Sequence, residues 1–132
     1  MNNPLITTVM NKELIEKYIE AYNSKNVPGM IALLEDDVLF ENVSNASEGI
    51  TTHTKVEFER LAVQSLAYFS ERKQTIRFIT ESQNSIAIEI DYQATFAADF
   101  PDPTKAGQQL NLRGVSVFEI KKGKITRISD YS

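Results

Sequence analysis

The stretch that most constrains this chain is its last: Arg113-Gly-Val-Ser-Val-Phe-Glu-Ile-Lys-Lys-Gly-Lys-Ile-Thr-Arg-Ile-Ser-Asp-Tyr131. Two arms rich in β-branched and aromatic residues flank Lys121-Lys122-Gly123-Lys124, with Gly123 free to adopt a positive φ. The pattern predicts two antiparallel strands joined by a tight turn. Strict alternation groups Thr126, Ile128 and Asp130 on one face of the second arm and Ile125, Arg127, Ser129 and Tyr131 on the other. With the first face inward, a carboxylate ends an apolar row. The upstream chain must then supply the cover for that row.

That cover is legible in the periodicities. Leu14, Ile15, Tyr18, Ile19 and Tyr22 form one stripe at helical spacing, which predicts a helix over 11–23 with Asn11 as N-cap. Asn26-Val27-Pro28 reads as the cap and first turn of a short helix reaching about Glu35 and burying Met30, Leu33 and Leu34. A strand over 38–43 follows, then a polar loop over 44–53 with Gly49 as its turn residue. Phe58, Leu61, Ala62, Ser65, Leu66 and Phe69 mark a third helix over 54–70. Strands are expected over 73–81, 85–98 and 106–120, with Gln83-Asn84 as a hairpin turn and the proline-bearing segment 99–105 as a loop. Along the longest strand Ile86, Ile88, Ile90, Tyr92, Ala94 and Phe96 share one face, and Glu89, Asp91, Gln93 and Thr95 the other. Helices on one side of a mainly antiparallel sheet make an α+β fold, and 132 residues suit one domain spanning 1–132.

Composition narrows the chemistry. A formal net charge of -4 argues against nucleic acid as a partner. No cysteine is present, so thiolate chemistry is excluded, and the lone His53 cannot build a multi-histidine metal site. No metal or cofactor is expected. No apolar run approaches the roughly 20 residues that span a bilayer, and residues 1–10 lack the regions of a signal peptide. The expected setting is cytoplasmic, without a membrane partner.

Two segments resemble a known group. Tyr18-Ile-Glu-Ala-Tyr-Asn-Ser-Lys-Asn-Val-Pro-Gly-Met-Ile-Ala-Leu-Leu-Glu-Asp-Asp37 is similar to the first two helices, and Phe118-Glu-Ile-Lys-Lys-Gly-Lys-Ile-Thr-Arg-Ile-Ser-Asp130 to the closing hairpin, of the nuclear transport factor 2-like superfamily. Within it the chain resembles the SnoaL-like and ketosteroid isomerase-like proteins over nearly its whole length. The resemblance implies a cone: a curved, mainly antiparallel sheet wrapped round a long helix, with a pocket at the open end. It also implies homodimers through the outer sheet face, where Val115, Val117, Ile125 and Tyr131 would lie among Arg113, Glu119 and Arg127.

Carried over residue by residue, the resemblance is uneven. Tyr18 matches the isomerase's pocket tyrosine, which would donate to an enolate oxygen; its place in the apolar stripe equally suits a core tyrosine. The isomerase's general base falls on Asn42, and an amide accepts no proton at neutral pH. Asn42 is left to orient a carbonyl or to cap the strand. The second isomerase acid falls on Ser116. The epoxide hydrolase relatives' Tyr-x-Asn becomes Phe40-Glu41-Asn42, and no Arg accompanies Glu89 and Asp91. Asp130 matches the acid/base aspartate of the SnoaL-type cyclases, and an apolar surround would raise its pKa; the alternative is an exposed strand-end carboxylate. His53 is either their assisting histidine or a surface residue, and Arg113 either a pocket residue or an outer-face partner of Glu89 or Asp91.

The candidate site is thus Asp130, Tyr18 and Asn42 as catalytic groups. The substrate contacts would be Phe40, His53, Phe58, Leu61, Tyr92, Phe96, Ser116, Phe118 and Ile128, around a small apolar or carbonyl-containing molecule. Three functions stay open. One is an isomerase or cyclase working by acid-base chemistry at a carbonyl. Another is a ligand-binding protein without turnover. The third is an assembly or transport domain acting through the outer sheet face.

Overall fold

A computed structural model describes residues 4–45, 48–97 and 105–132 of the chain. Three helices, α1 (Pro4–Asn23), α2 (Val27–Ile31) and α3 (Lys55–Ser65), accompany six strands, β1 (Leu34–Val43), β2 (Ile50–Thr52), β3 (Phe69–Glu81), β4 (Ser85–Phe96), β5 (Gln109–Lys121) and β6 (Lys124–Tyr131). The strands form one open sheet in the order β2-β1-β6-β5-β4-β3. Among the described residues, only the β1–β6 pair is parallel. This is the expected α+β architecture.

The core lies on the inner sheet face. Ile15, Tyr18 and Ile19 from α1 pack with Ile86, Ile88, Phe118 and Ile128 from the sheet, and the Tyr18 ring meets Phe118 edge-on at 5.5 Å between centroids. The closing hairpin turns on two residues of positive φ, Lys122 (52°) and Gly123 (76°), as a two-residue turn matching the strand twist requires. Register shifts occur in β1 between Leu34 and Leu39, in β3 near both Glu71 and Phe78, and at the β5–β6 ladder between Glu119 and Ile120. Such bulges bend strands and increase twist, which curves the sheet around α1. The β4–β5 ladder runs without a shift from Ser85 to Thr95.

Several expected boundaries move. Asn11 does not cap α1. It lies in the interior of a helix that begins at Pro4, about two turns from that start, is buried, and donates from Nδ2 to the Gln83 carbonyl at 3.1 Å. α2 stops at Ile31 instead of Glu35, because Leu34 enters the sheet opposite Ile125 and the Leu33 carbonyl accepts from the Ile125 amide at 2.9 Å. The Asn26 cap is as expected, its side chain accepting from Gly29 N. Within the predicted 44–53 loop, β2 pairs with β1. There Gly49 serves close approach: a Cβ would lie 2.2 Å from the Asn42 carbonyl oxygen. α3 ends at Ser65, since Phe69 and Ser70 already belong to β3 beside β4. Of the loop expected over 99–105, all but Lys105 is outside the described residues, as is residue 98 of the predicted strand.

Strict alternation also fails in β6. Glu119 pairs Arg127 and Ile120 pairs Ile125, leaving Thr126 as the extra residue of a bulge, its Oγ1 donating to the Glu119 carbonyl at 3.2 Å. Ile125 is therefore fully buried in the core with Ile120, and not on the outer face. The outer face carries two polar clusters. Ser129 Oγ donates to Glu41 Oε1 at 2.7 Å and accepts from Arg127, which also reaches Glu119 at 3.0 Å. Asp91 binds Arg77 at 2.8 Å and Arg113 at 3.1 Å, so Arg113 makes the expected outer-face pair, and it also borders a small hollow next to Asp130.

Candidate functional site

Asp130 reaches the interior because the bulge at Thr126 resets the strand's phase. From Arg127 onward alternation holds: Ile128 in, Ser129 out, Asp130 in. Two neighbours flank it across the sheet, Ser116 on β5 and Asn42 on β1, both its register partners. Ser116 Oγ donates to Asp130 Oδ1 at 2.6 Å. A cavity of about 220 Å³ opens over this row. Its walls include Tyr18 and Tyr22 from α1, Phe40 and Asn42 from β1, Phe58 and Leu61 from α3, and Arg72 and Gln74 from β3. A second hollow of about 140 Å³ adjoins it, sharing Asn42, Gln74, Ser116 and Asp130 and adding Tyr92 and Leu112.

Electrostatically, the row is unusual. Burial pushes the Asp130 carboxyl up to about 6, and the Ser116 hydrogen bond holds it from going higher. Burial also raises the Tyr18 phenol well above its ordinary value, and the Asp130 charge adds to this. Tyr18 is therefore a neutral hydroxyl throughout the physiological range, suited to donate a hydrogen bond. Tyr22 and Tyr92 share a hydrogen bond of 2.9 Å between their hydroxyls, and both are likewise raised by burial.

The predicted residues divide. Asp130, Tyr18, Asn42, Phe40, Phe58, Leu61 and Ser116 line the main cavity, and Tyr92 the adjoining one. Phe118 and Ile128 do not line it. They are fully buried beneath it, packed against α1, because a row that ends at a site must first fill the core. Phe96 packs on Phe69 at 5.2 Å, away from the cavity. His53 is exposed just before α3, its backbone N–H donating to Glu57 Oε1 at 2.8 Å, and lines neither cavity. Among the described residues no cluster of three or more metal-binding side chains occurs, and no helix is long and apolar enough to cross a membrane.

The sequence reading missed Arg72, Gln74 and Tyr22. Arg72 is buried, its guanidinium 3.9 Å from the centre of the Tyr22 ring. The pairing shows what the sequence did not: on β3 Arg72, Gln74 and Ile76 lie opposite Ala94, Tyr92 and Ile90 of the apolar face of β4.

Comparison with known proteins agrees with this geometry. The SnoaL-like domain family matches residues 15–128. A candidate polyketide cyclase from Xanthomonas campestris pv. campestris superposes with a TM-score of 0.84 at 20% identity, covering 96% of this chain and 92% of its own. One from Silicibacter sp. tm1040 gives 0.78 at 27% identity, covering 92% and 87%. An epoxide hydrolase of the LEH-like type from M. tuberculosis shares the fold at 0.75 and 18% identity, covering 94% and 83%. Among curated proteins, none matches the chain.

Proposed function

This chain belongs to the SnoaL-like domain family, and on that premise we propose that it is an enzyme of the isomerase or cyclase type acting on a small carbonyl compound, with Asp130 moving the proton. The observation that carries this reading is the environment of Asp130: a carboxyl held near a pKa of about 6, bonded by Ser116, on the wall of a cavity that also presents Tyr18 and Asn42. A carboxylate tuned toward neutrality is matched to general acid-base work. In the forward step an Asp130 oxygen takes a proton from the carbon α to a carbonyl, and the C–H electron pair moves to the carbonyl oxygen. The Tyr18 hydroxyl and the Asn42 amide stabilise that oxygen by hydrogen bonds. Asp130 then returns the proton to carbon, at the same or another position. The Silicibacter relative, a candidate polyketide cyclase, supports this reaction class.

A second reading has its own observation. Asn42 and Ser116 are neutral where the isomerases resembled carry acids, so the cavity also suits a binding protein without turnover. Deuterium exchange separates the two. In deuterated buffer the wild type should accelerate α-proton exchange of small aryl ketones and keto acids, followed by proton NMR, and Asp130→Asn should reduce it at least about a hundredfold. Ligand binding without any accelerated exchange would select the binding reading. For the outer face we propose a second copy of the chain as partner, with the exposed cross-strand pair Val115 and Tyr131, and the Arg127–Glu119 ion pair farther along the same two strands, as the contact.

A further inference from the structure

The cavity contains a cation whose partner is not supplied by the described residues. Arg72 is 7% exposed. Its polar contacts are weak: one terminal nitrogen donates to Ser65 Oγ at 3.4 Å, the other to the Tyr22 carbonyl at 3.5 Å, and Nε has no partner. Among the described residues, the ion pairs join other groups and none includes Arg72. Its charge rests instead on the Tyr22 ring. Asp130, on the wall of the same cavity, bonds Ser116 and forms no ion pair with Arg72. Next along the inner face of β3, Gln74 is also buried, and its Oε1 is unpartnered.

A buried guanidinium without a counter-ion is strongly unfavourable in a folded chain. A group that completes it would therefore be held firmly. The cavity that holds both Arg72 and Asp130 also has apolar walls, formed by Met30, Phe40, Ile50, Phe58 and Leu61. We infer that the ligand of this cavity is an amphiphilic carboxylate, its acid group received by Arg72 and its apolar body lying along those walls. The planar guanidinium fork matches a carboxylate, and the Gln74 amide can turn either end toward the ligand. The inference deepens the proposed function and rests on it for one element only, that the other end of the molecule carries the carbonyl addressed by Asp130. The substrate class is then a small keto acid with an aromatic or alicyclic body. Arg72 is its anchor, and a cavity of about 220 Å³ limits its size to roughly one ring and a short chain.

The test uses 4-oxo-4-phenylbutanoate and its primary amide, which differ in charge at one end and keep the same ketone. Calorimetry on the wild type should show the acid binding at least about tenfold more tightly than the amide, the scale of one charge-assisted hydrogen bond. Arg72→Gln should abolish that preference, and Arg72→Lys should restore part of it. Asp130→Asn should leave the preference intact while removing α-proton exchange. Equal binding of acid and amide, failure of the acid to bind, or an acid preference that survives Arg72→Gln would each overturn the inference. The wild-type comparison decides the matter even if the Arg72 variants do not fold. Acid preference through Arg72 with no exchange would leave the anion site standing and remove the enzymatic reading. Exchange on neutral acetophenone with no acid preference would do the reverse.

Discussion

Ser116 and Asp130 face each other across β5 and β6, and the serine hydroxyl donates to Asp130 Oδ1 at 2.6 Å. The bond favours the charged carboxylate, while burial favours the neutral acid, and burial is the larger effect. The balance of these two forces is accessible to mutation.

Exchange or turnover that needs ionised Asp130 should rise with pH, with a midpoint of about 6. Ser116→Ala removes the opposing bond and should move the midpoint up by about one pH unit, the worth of a hydrogen bond to a charged group. Carbon NMR of the Asp130 carboxyl, titrated in both proteins, reads the shift directly. An unchanged midpoint would show that Ser116 does not tune the acid.

The same pKa makes a stability statement. A carboxyl raised from 3.8 to about 6 in the folded state binds its proton more tightly there than in the unfolded chain. Its contribution is fully present below about pH 4 and is lost as pH rises through 6. The difference is at most about 3 kcal/mol, from two pKa units at about 1.4 kcal/mol each. Asp130→Asn should therefore unfold at a higher temperature than the wild type at pH 8, and at nearly the same temperature at pH 4. Thermal unfolding at the two pH values checks both signs.

Gly49 gives a third expectation. A methyl there would lie 2.2 Å from the Asn42 carbonyl oxygen, and backbone cannot yield as a side chain can. Gly49→Ala should loosen β2 from β1 and open the cavity wall at Ile50. Amide exchange at residues 50–52 should speed up, and ligand binding should weaken, with the pH midpoint at Asp130 unchanged.

The dimer expected through the outer face should sediment at twice the chain mass at micromolar concentration. Val115→Glu places a charge beside its cross-strand partners Glu89 and exposed Tyr131 and should shift the population to monomer without altering the Asp130 titration. A monomeric wild type would remove the proposed contact.

The helices, every strand but the short β2 and the inward aspartate were legible because each rests on a local period. Tyr18 fell on a helical stripe, and Asp130 on an alternating row. Arg72 was illegible for the opposite reason. Ser70-Glu-Arg-Lys-Gln74 is polar throughout, and reading α3 as far as Ser70 left no strand phase to assign. Only pairing with β4 shows that Arg72 and Gln74 face inward. Phe118 and Ile128 show the converse limit: alternation tells which face a side chain takes, not how deep along that face the core ends and the cavity begins.

The register shifts described above are unevenly distributed. They fall in β1, in β3 and at the β5–β6 ladder, while β4 and β5 pair without interruption from Ser85 to Thr95. Phe40, Asn42, Arg72, Gln74 and Asp130 all come from the interrupted strands. One consequence concerns insertions and deletions. A residue gained or lost at a bulge is absorbed locally, and the side chains beyond it keep their inward or outward parity, as Asp130 does beyond Thr126. The β4–β5 pair has no such slack, and a one-residue change there would turn Ile86 to Phe96 inside out. In this chain, one-residue changes of length should therefore be better tolerated in β1, β3 and β6 than in the β4–β5 pair, whose Ser116 and Tyr92 also face the cavities.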